Sequence, residues 1–229
     1  MDVHVRGDGD RDLLFALGWG NRPGHETVDW LLSSLADAGW TVHAAVVPEN
    51  GTDFARDYAE PLTRVRDDVD PDACAGHSLG GLTLAHVPGD DPRVYSSPFW
   101  GLETSGAAGL LVPLLATLPV SRRVVPLEHE PELIGDLQPE TQDTAADRGA
   151  SPAWLDAVRA AQASLPPFRE GSAVHCSLSD RVVDVHAIGD RAPADRIRLY
   201  DGGHEFFAST GREAVLDRFL ADLDDVADA

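Results

Sequence analysis

Short apolar runs recur along the chain, and between several of them the apolar residues shift to a spacing of three and four. Val3 to Arg6 and Leu13 to Leu17 have strand patterning, and the Gly7-Asp8-Gly9-Asp10 turn between them predicts an opening hairpin. From Thr27 to Gly39, Val28, Leu31, Leu32 and Leu35 share one helical face, with Gly39 as the stop. Trp40 to Val47 then reads as a strand and Phe54 to Val65 as a helix, followed by an acidic loop through Asp72. Ala73 to Ala75 is a short apolar strand, Leu82 to Val87 a helical run, and Arg93 to Ser97 another strand. Strand rhythm resumes at Ala173 to Leu178 and Arg196 to Tyr200, and a last helix covers Arg212 to Leu223. Strands alternating with helices predict a mostly parallel sheet with helices on both faces.

The stretch from Phe99 to Glu170 breaks this rhythm. It is rich in proline and predicts helices near Ala107–Leu118 and Ala153–Ser164, with one candidate strand at Arg122–Leu127. It is expected to be a helical cap, residues 99–170, inserted in a single domain spanning 1–229.

Chemistry enters at Gly76-His77-Ser78-Leu79-Gly80-Gly81, where a strand meets a helix. A serine on so sharp a turn stands clear of the sheet, next to a helix N-terminus, if Gly76 and Gly80 remove the side chains that would collide. In a chain with 21 glycines the motif needs partners to mean anything. His204 is the histidine best placed to be the base. It follows a strand in Asp201-Gly202-Gly203-His204-Glu205 and precedes the final helix. His77 adjoins the serine but is expected to point elsewhere. His4, His43 and His175 fall inside strands, and His129 lies in the cap. Asp180, at the exit of Ala173–Leu178, is the expected orienting acid, ahead of Asp184 and Asp201. Backbone N–H groups of Trp19, in Leu17-Gly18-Trp19-Gly20, and of Leu79 are the candidate oxyanion donors. His25, Phe99, Trp100 and Trp154 are candidate pocket residues, and Phe168 a further aromatic of the insertion. Arg22, Arg122, Arg123 and Arg148 would favour a carboxylate-bearing substrate if they faced that pocket.

Composition narrows the classes. The 229 residues are 43% hydrophobic, enough for one sizeable core. No apolar stretch reaches the ~18 residues of a membrane helix, and the longest, Ala107 to Leu118, contains Pro113. Met1-Asp2-Val3-His4 is not signal-peptide patterning, so a cytoplasmic location is expected. Cys74 and Cys176 form no CxxC pair, no metal spacing such as HExxH occurs, and no metal or cofactor is expected. Acidic residues number 39 against 18 basic ones, all arginine, for a net charge of −21. Lysine depletion with such acidity resembles the proteins of haloarchaea. Molar salt, with a screening length of about 3 Å, would quench the self-repulsion. No basic patch suggests nucleic acid.

Taken in order, the Ser78 elbow, Asp180 in Asp-Arg-Val-Val and His204 in Gly-Gly-His resemble the α/β-hydrolase fold family over nearly the whole chain. The resemblance implies a serine esterase-like hydrolase acting on a small-molecule acyl substrate. The same triad also serves thioester and carbon–carbon cleavage, lyase and perhydrolase reactions, and the fold also hosts non-catalytic binding modules. Where many relatives carry a histidine before the oxyanion glycine, this chain has Leu17. Oligomeric state is not legible.

Overall fold

A computed structural model describes residues 1–102, 120–125, 131–139 and 149–229. The predicted helix Ala107–Leu118, His129, Arg148 and the end of Arg122–Leu127 lie outside them; Val125 makes one antiparallel bridge with Ala150.

Seven strands form one sheet: β1 (Asp2–Arg6), β2 (Arg11–Ala16), β3 (Trp40–Val46), β4 (Ala73–His77), β5 (Val94–Ser96), β6 (Ala173–Ser177) and β7 (Ile197–Tyr200). Their spatial order is β1-β3-β2-β4-β5-β6-β7, parallel throughout except for β1. The expected opening hairpin is not formed. β1 pairs antiparallel with β3, and β3 lies between β1 and β2. Burial explains the order. β3 has Trp40, Val42, Ala44 and Ala45 fully buried, which suits an interior strand, whereas β1 leaves Asp2, His4 and Val5 exposed and takes the edge. The turn crosses beneath β3 because it can approach closely: a Cβ on Gly9 would lie 1.9 Å from the Gly39 carbonyl oxygen.

The helices are α1 (Glu26–Asp37), α2 (Glu60–Val69), α3 (Ser78–His86), α4 (Pro131–Ile134), α5 (Pro152–Ala163), α6 (Val185–Gly189) and α7 (Arg212–Ala227). A π-helical turn, Ala55–Ala59, leads into α2. Alternation along the strands builds two cores. Leu13 and Phe15 of β2 join Leu31 and Leu35 of α1 and Phe219 and Leu223 of α7 on one face. Leu14 and Ala16 join Leu62 of α2, Leu82 and Leu84 of α3 and Trp154 and Val158 of α5 on the other. No helix among the described residues is long and apolar enough to cross a membrane. Cys74 and Cys176 are free and buried on strands separated by β5, and burial pushes both thiols up to about 11.

Arginine secures the rear of α3. The carbonyls of Leu84 and Pro88 accept from Arg93, those of Ala85, Val87 and Gly89 from Arg169, and that of Pro88 also from Arg66. Guanidinium groups thus satisfy the open end of the helix that begins at Ser78 and complement its dipole.

Candidate active site

All five residues of β4 are buried, and the strand passes directly into α3. Ser78 makes the reversal with φ 51°, a left-handed conformation that a non-glycine residue adopts only under constraint. The crowding expected around it is real. A Cβ on Gly80 would lie 2.1 Å from the Ala16 carbonyl oxygen and 2.5 Å from that of Leu17. One on Gly76 would meet Gly80 and Gly81 backbone at 3.0 Å. Ser78 is 7% exposed, and its carbonyl accepts from the Phe99 N–H at 3.0 Å.

The parallel strands bring the later strand exits to the same edge. His204, 3% exposed, directs Nδ1 to Asp180 Oδ2 at 2.8 Å. Asp180 is fixed in turn, because its Oδ1 accepts from the N–H groups of Val182 (2.8 Å) and Val183 (3.1 Å). Burial opposes the charge on Asp180, but the contact with His204 and these N–H groups outweigh it and hold the carboxyl below its ordinary range. Burial also opposes an imidazolium at His204, yet Asp180, and Glu205 after it, raise His204 above its ordinary value. Asp184 instead caps α6 through the His186 N–H, and Asp201 is exposed.

The histidine loop is held from two further directions. Tyr200 Oη lies 3.0 Å from the Gly203 carbonyl and 3.1 Å from that of His204, and it is itself 3.0 Å from Ser97 Oγ. The His204 N–H donates to the Leu133 carbonyl at the end of α4, and the Glu205 N–H to that of Ile134. Neither support is visible in the sequence. Tyr200 reads there only as the last residue of a strand.

The loop after β2 touches the elbow. A Cβ on Gly18 would lie 2.6 Å from His77 Cδ2, and the absent Cβ of Gly80 admits Ala16 and Leu17 beside the first turn of α3. Trp19 and Leu79, the two candidate N–H donors, therefore belong to segments in contact. The Trp19 indole stacks on Trp154 at 4.9 Å and donates to the Glu49 carbonyl at 2.8 Å. Trp100 is buried among Tyr95, Phe168 and Arg191, away from any stack with Trp19. His25 is the N-cap residue of α1, partly exposed. Arg22 and Arg123 both bind the Glu49 carboxylate, which leaves them committed to each other's partner; Arg122 is exposed. His77 does not point away from the site. Its ring lies 4.8 Å from that of His204. His43 pairs with Asp12 near the edge, and His175 with Asp222 in the core, as strand histidines should. Among the described residues no group of three or more His, Cys, Asp or Glu side chains could hold a metal ion.

No protein-family model matches the chain, and no curated protein matches it. Solved structures do. A metagenome-derived lipolytic enzyme of the LipS and LipT pair is 18% identical, with 97% of each chain covered and a TM-score of 0.64. Monoglyceride lipase from Saccharomyces cerevisiae is 15% identical over 96% of this chain and 88% of its own, with a TM-score of 0.69. An α/β-hydrolase fold protein from Burkholderia ambifaria is 15% identical over 96% and 93%, with a TM-score of 0.57. The mostly parallel seven-stranded sheet, with helices on both faces and this likeness across nearly its full length, gives the chain the α/β-hydrolase fold.

Proposed function

We propose that the protein is a serine hydrolase that cleaves a carboxylic ester of a small-molecule acyl substrate. The observation that carries this is the buried 2.8 Å contact between His204 and Asp180, beside an elbow that holds Ser78 at φ 51°. Ser78 Oγ attacks the ester carbonyl and passes its proton to His204. The carbonyl π electrons move to oxygen, where the N–H groups of Trp19 and Leu79 stabilise the charge. The carbonyl re-forms as the carbon–oxygen bond to the alcohol breaks, and His204 returns its proton to that leaving oxygen. Water, activated by the same base, then releases the acid and regenerates Ser78. Asp180 keeps His204 in the tautomer whose free nitrogen can accept a proton. Residues 99–170 act as a cap that brings Phe99, whose N–H donates to the Ser78 carbonyl, and Trp154, stacked on Trp19, toward the substrate. The lipolytic and lipase names of the structural neighbours support this class of bond. Free buried cysteines and the charge of −21 support a reducing, salt-rich cytoplasm as its setting.

The test is hydrolysis of p-nitrophenyl butyrate in molar salt. Turnover in the wild type and loss by ~10⁴-fold or more in Ser78→Ala is expected. Turnover surviving in the alanine variant sinks the mechanism, and absence of fluorophosphonate labelling at Ser78 would favour a binding module.

A further inference from the structure

Behind these residues lies a second acid–histidine pair. Glu205, 5% exposed, accepts a 2.8 Å hydrogen bond at Oε1 from Asn21 Nδ2, and the same oxygen faces His77 Nε2 at 3.6 Å. Its Oε2 is buried with no hydrogen-bond partner among the described residues. The carboxylate relies on Asn21 and the neighbouring histidines to offset the cost of burying its charge. An amide at this position would keep an acceptor for Asn21 without the charge, whereas an apolar side chain would leave the buried Asn21 amide unpaired.

Three parts of the site converge on this carboxylate. Asn21 closes the loop after β2: its Oδ1 accepts from the Gly18 N–H at 3.1 Å while its amide holds Glu205. One side chain therefore ties the turn that carries Trp19 to the loop that carries His204. His77 immediately precedes Ser78. Its Nδ1 lies 3.1 Å from the Ser96 carbonyl, its ring meets Phe207 edge-on at 5.2 Å, and His204 lies beside it. Glu205 is thus in contact with the elbow and with the oxyanion loop, and adjoins the base along the chain.

We propose that Glu205 is a positioning residue of the acyl-transfer site, which locks the Gly18–Trp19 loop and the elbow against His204 and lends the base a second negative charge. The proposal rests on the ester-hydrolysis mechanism above. Among the described residues, the charged and titratable groups that face His204 are Asp180 from the β6 exit, His77 from the elbow, Glu205 from its own loop and the Tyr200 hydroxyl at its carbonyl. Those that face Glu205 are His77 and His204, with the Asn21 amide opposite. Burial resists the charge of Glu205, but His77 and Asn21 outweigh it and keep the carboxyl below its ordinary range. Burial, the largest influence on His77, presses it below its ordinary value; as a neutral ring it donates from one nitrogen only, to the Ser96 carbonyl or toward Glu205.

Glu205→Gln retains an acceptor for Asn21 and removes the charge. With p-nitrophenyl butyrate the acidic limb of kcat/KM is expected to move to lower pH, and kcat to fall roughly tenfold with KM unchanged. The melting temperature is expected to fall at neutral pH, because a carboxyl held below its ordinary range stabilises the fold in its charged form. Asn21→Ala, which leaves the charge in place, lowers kcat without moving the limb. His204 ring signals followed by NMR in the wild type and in Glu205→Gln need no turnover, and their midpoint is expected to move down. An unmoved midpoint, or a lower melting temperature with kcat and the pH profile intact, overturns the proposal. Ser78 left unlabelled by a fluorophosphonate in the wild type would instead remove the acyl-transfer mechanism, with the NMR midpoint still deciding whether Glu205 acts on His204.

Discussion

Asp180→Asn is the substitution whose outcome the geometry constrains most. Oδ1 of Asp180 accepts from two backbone N–H groups, those of Val182 and Val183. An asparagine at this position must keep its carbonyl oxygen there, because an NH₂ would set donor against donor. Its NH₂ then takes the place of Oδ2, 2.8 Å from His204 Nδ1. A donor in that place forces Nδ1 to accept, and the ring proton moves to the nitrogen that should receive the proton of Ser78. The base is present but in the wrong tautomer. In serine triads of known mechanism that exchange lowers kcat by ~10⁴-fold, or about 5 kcal/mol of barrier. The assay is kcat/KM for p-nitrophenyl butyrate across neutral pH, with fluorophosphonate labelling as a second measure. Folding should survive, since both N–H contacts are kept. Stability adds a check of sign. Asp180 is depressed, so its contribution is present above its unfolded value and lost as pH falls through the folded one. His204 is raised, so its contribution is present below its unfolded value and fades as pH rises through the folded one. The melting gap between wild type and variant should therefore be widest between the ordinary carboxyl value of Asp180 and the ordinary imidazole value of His204, and should narrow on either side of that range. An asparagine variant within about tenfold of wild-type kcat/KM would show that His204 is not oriented by Asp180 during turnover.

Gly80→Ala places a methyl 2.1 Å from the Ala16 carbonyl oxygen, and since the obstacle is backbone the loop must move; a loss of ~3 kcal/mol in chemical denaturation is expected. An unchanged midpoint would mean that the two segments are not packed this tightly. The net charge of −21 gives a second measurement: the melting temperature should rise as sodium chloride is taken from tenth-molar to molar, and a flat response would show that self-repulsion does not limit stability.

The residues of the site differ in how far local pattern reveals them. Ser78, Asp180 and His204 stand out because each follows an apolar strand, and parallel strands that share a direction deliver their exits to one edge. The glycines around Ser78 are legible for the same reason, since the collision they avoid is between near neighbours in sequence. Strand order is another matter. Nothing in Gly7-Asp8-Gly9-Asp10 says whether the chain returns beside β1 or crosses to the far side of β3; the burial of Trp40 and Val42 on β3 decides it. Asn21 and Glu205, 184 residues apart, meet only through the closed sheet. Glu205 is hidden further by its company, because among 39 acidic residues it has no local mark of burial except its place between His204 and two phenylalanines.

The hydrogen bonds from α4 to the histidine loop bear on how this protein can diversify. Residues 133–137 are clasped to the loop by main-chain bonds at His204, Glu205 and Ala208, and by Asp136 to Thr210. Gly135 and Gly203 allow that approach, since a Cβ on either would strike opposing backbone at 2.2 and 2.6 Å. Insertions and deletions on either side of this clasp can reshape what reaches Ser78 while the base keeps its footing. A change of length within it would shift His204 itself. Evolution is thus offered two regions of freedom separated by a fixed point, and libraries aimed at new substrates should leave residues 133–137 untouched.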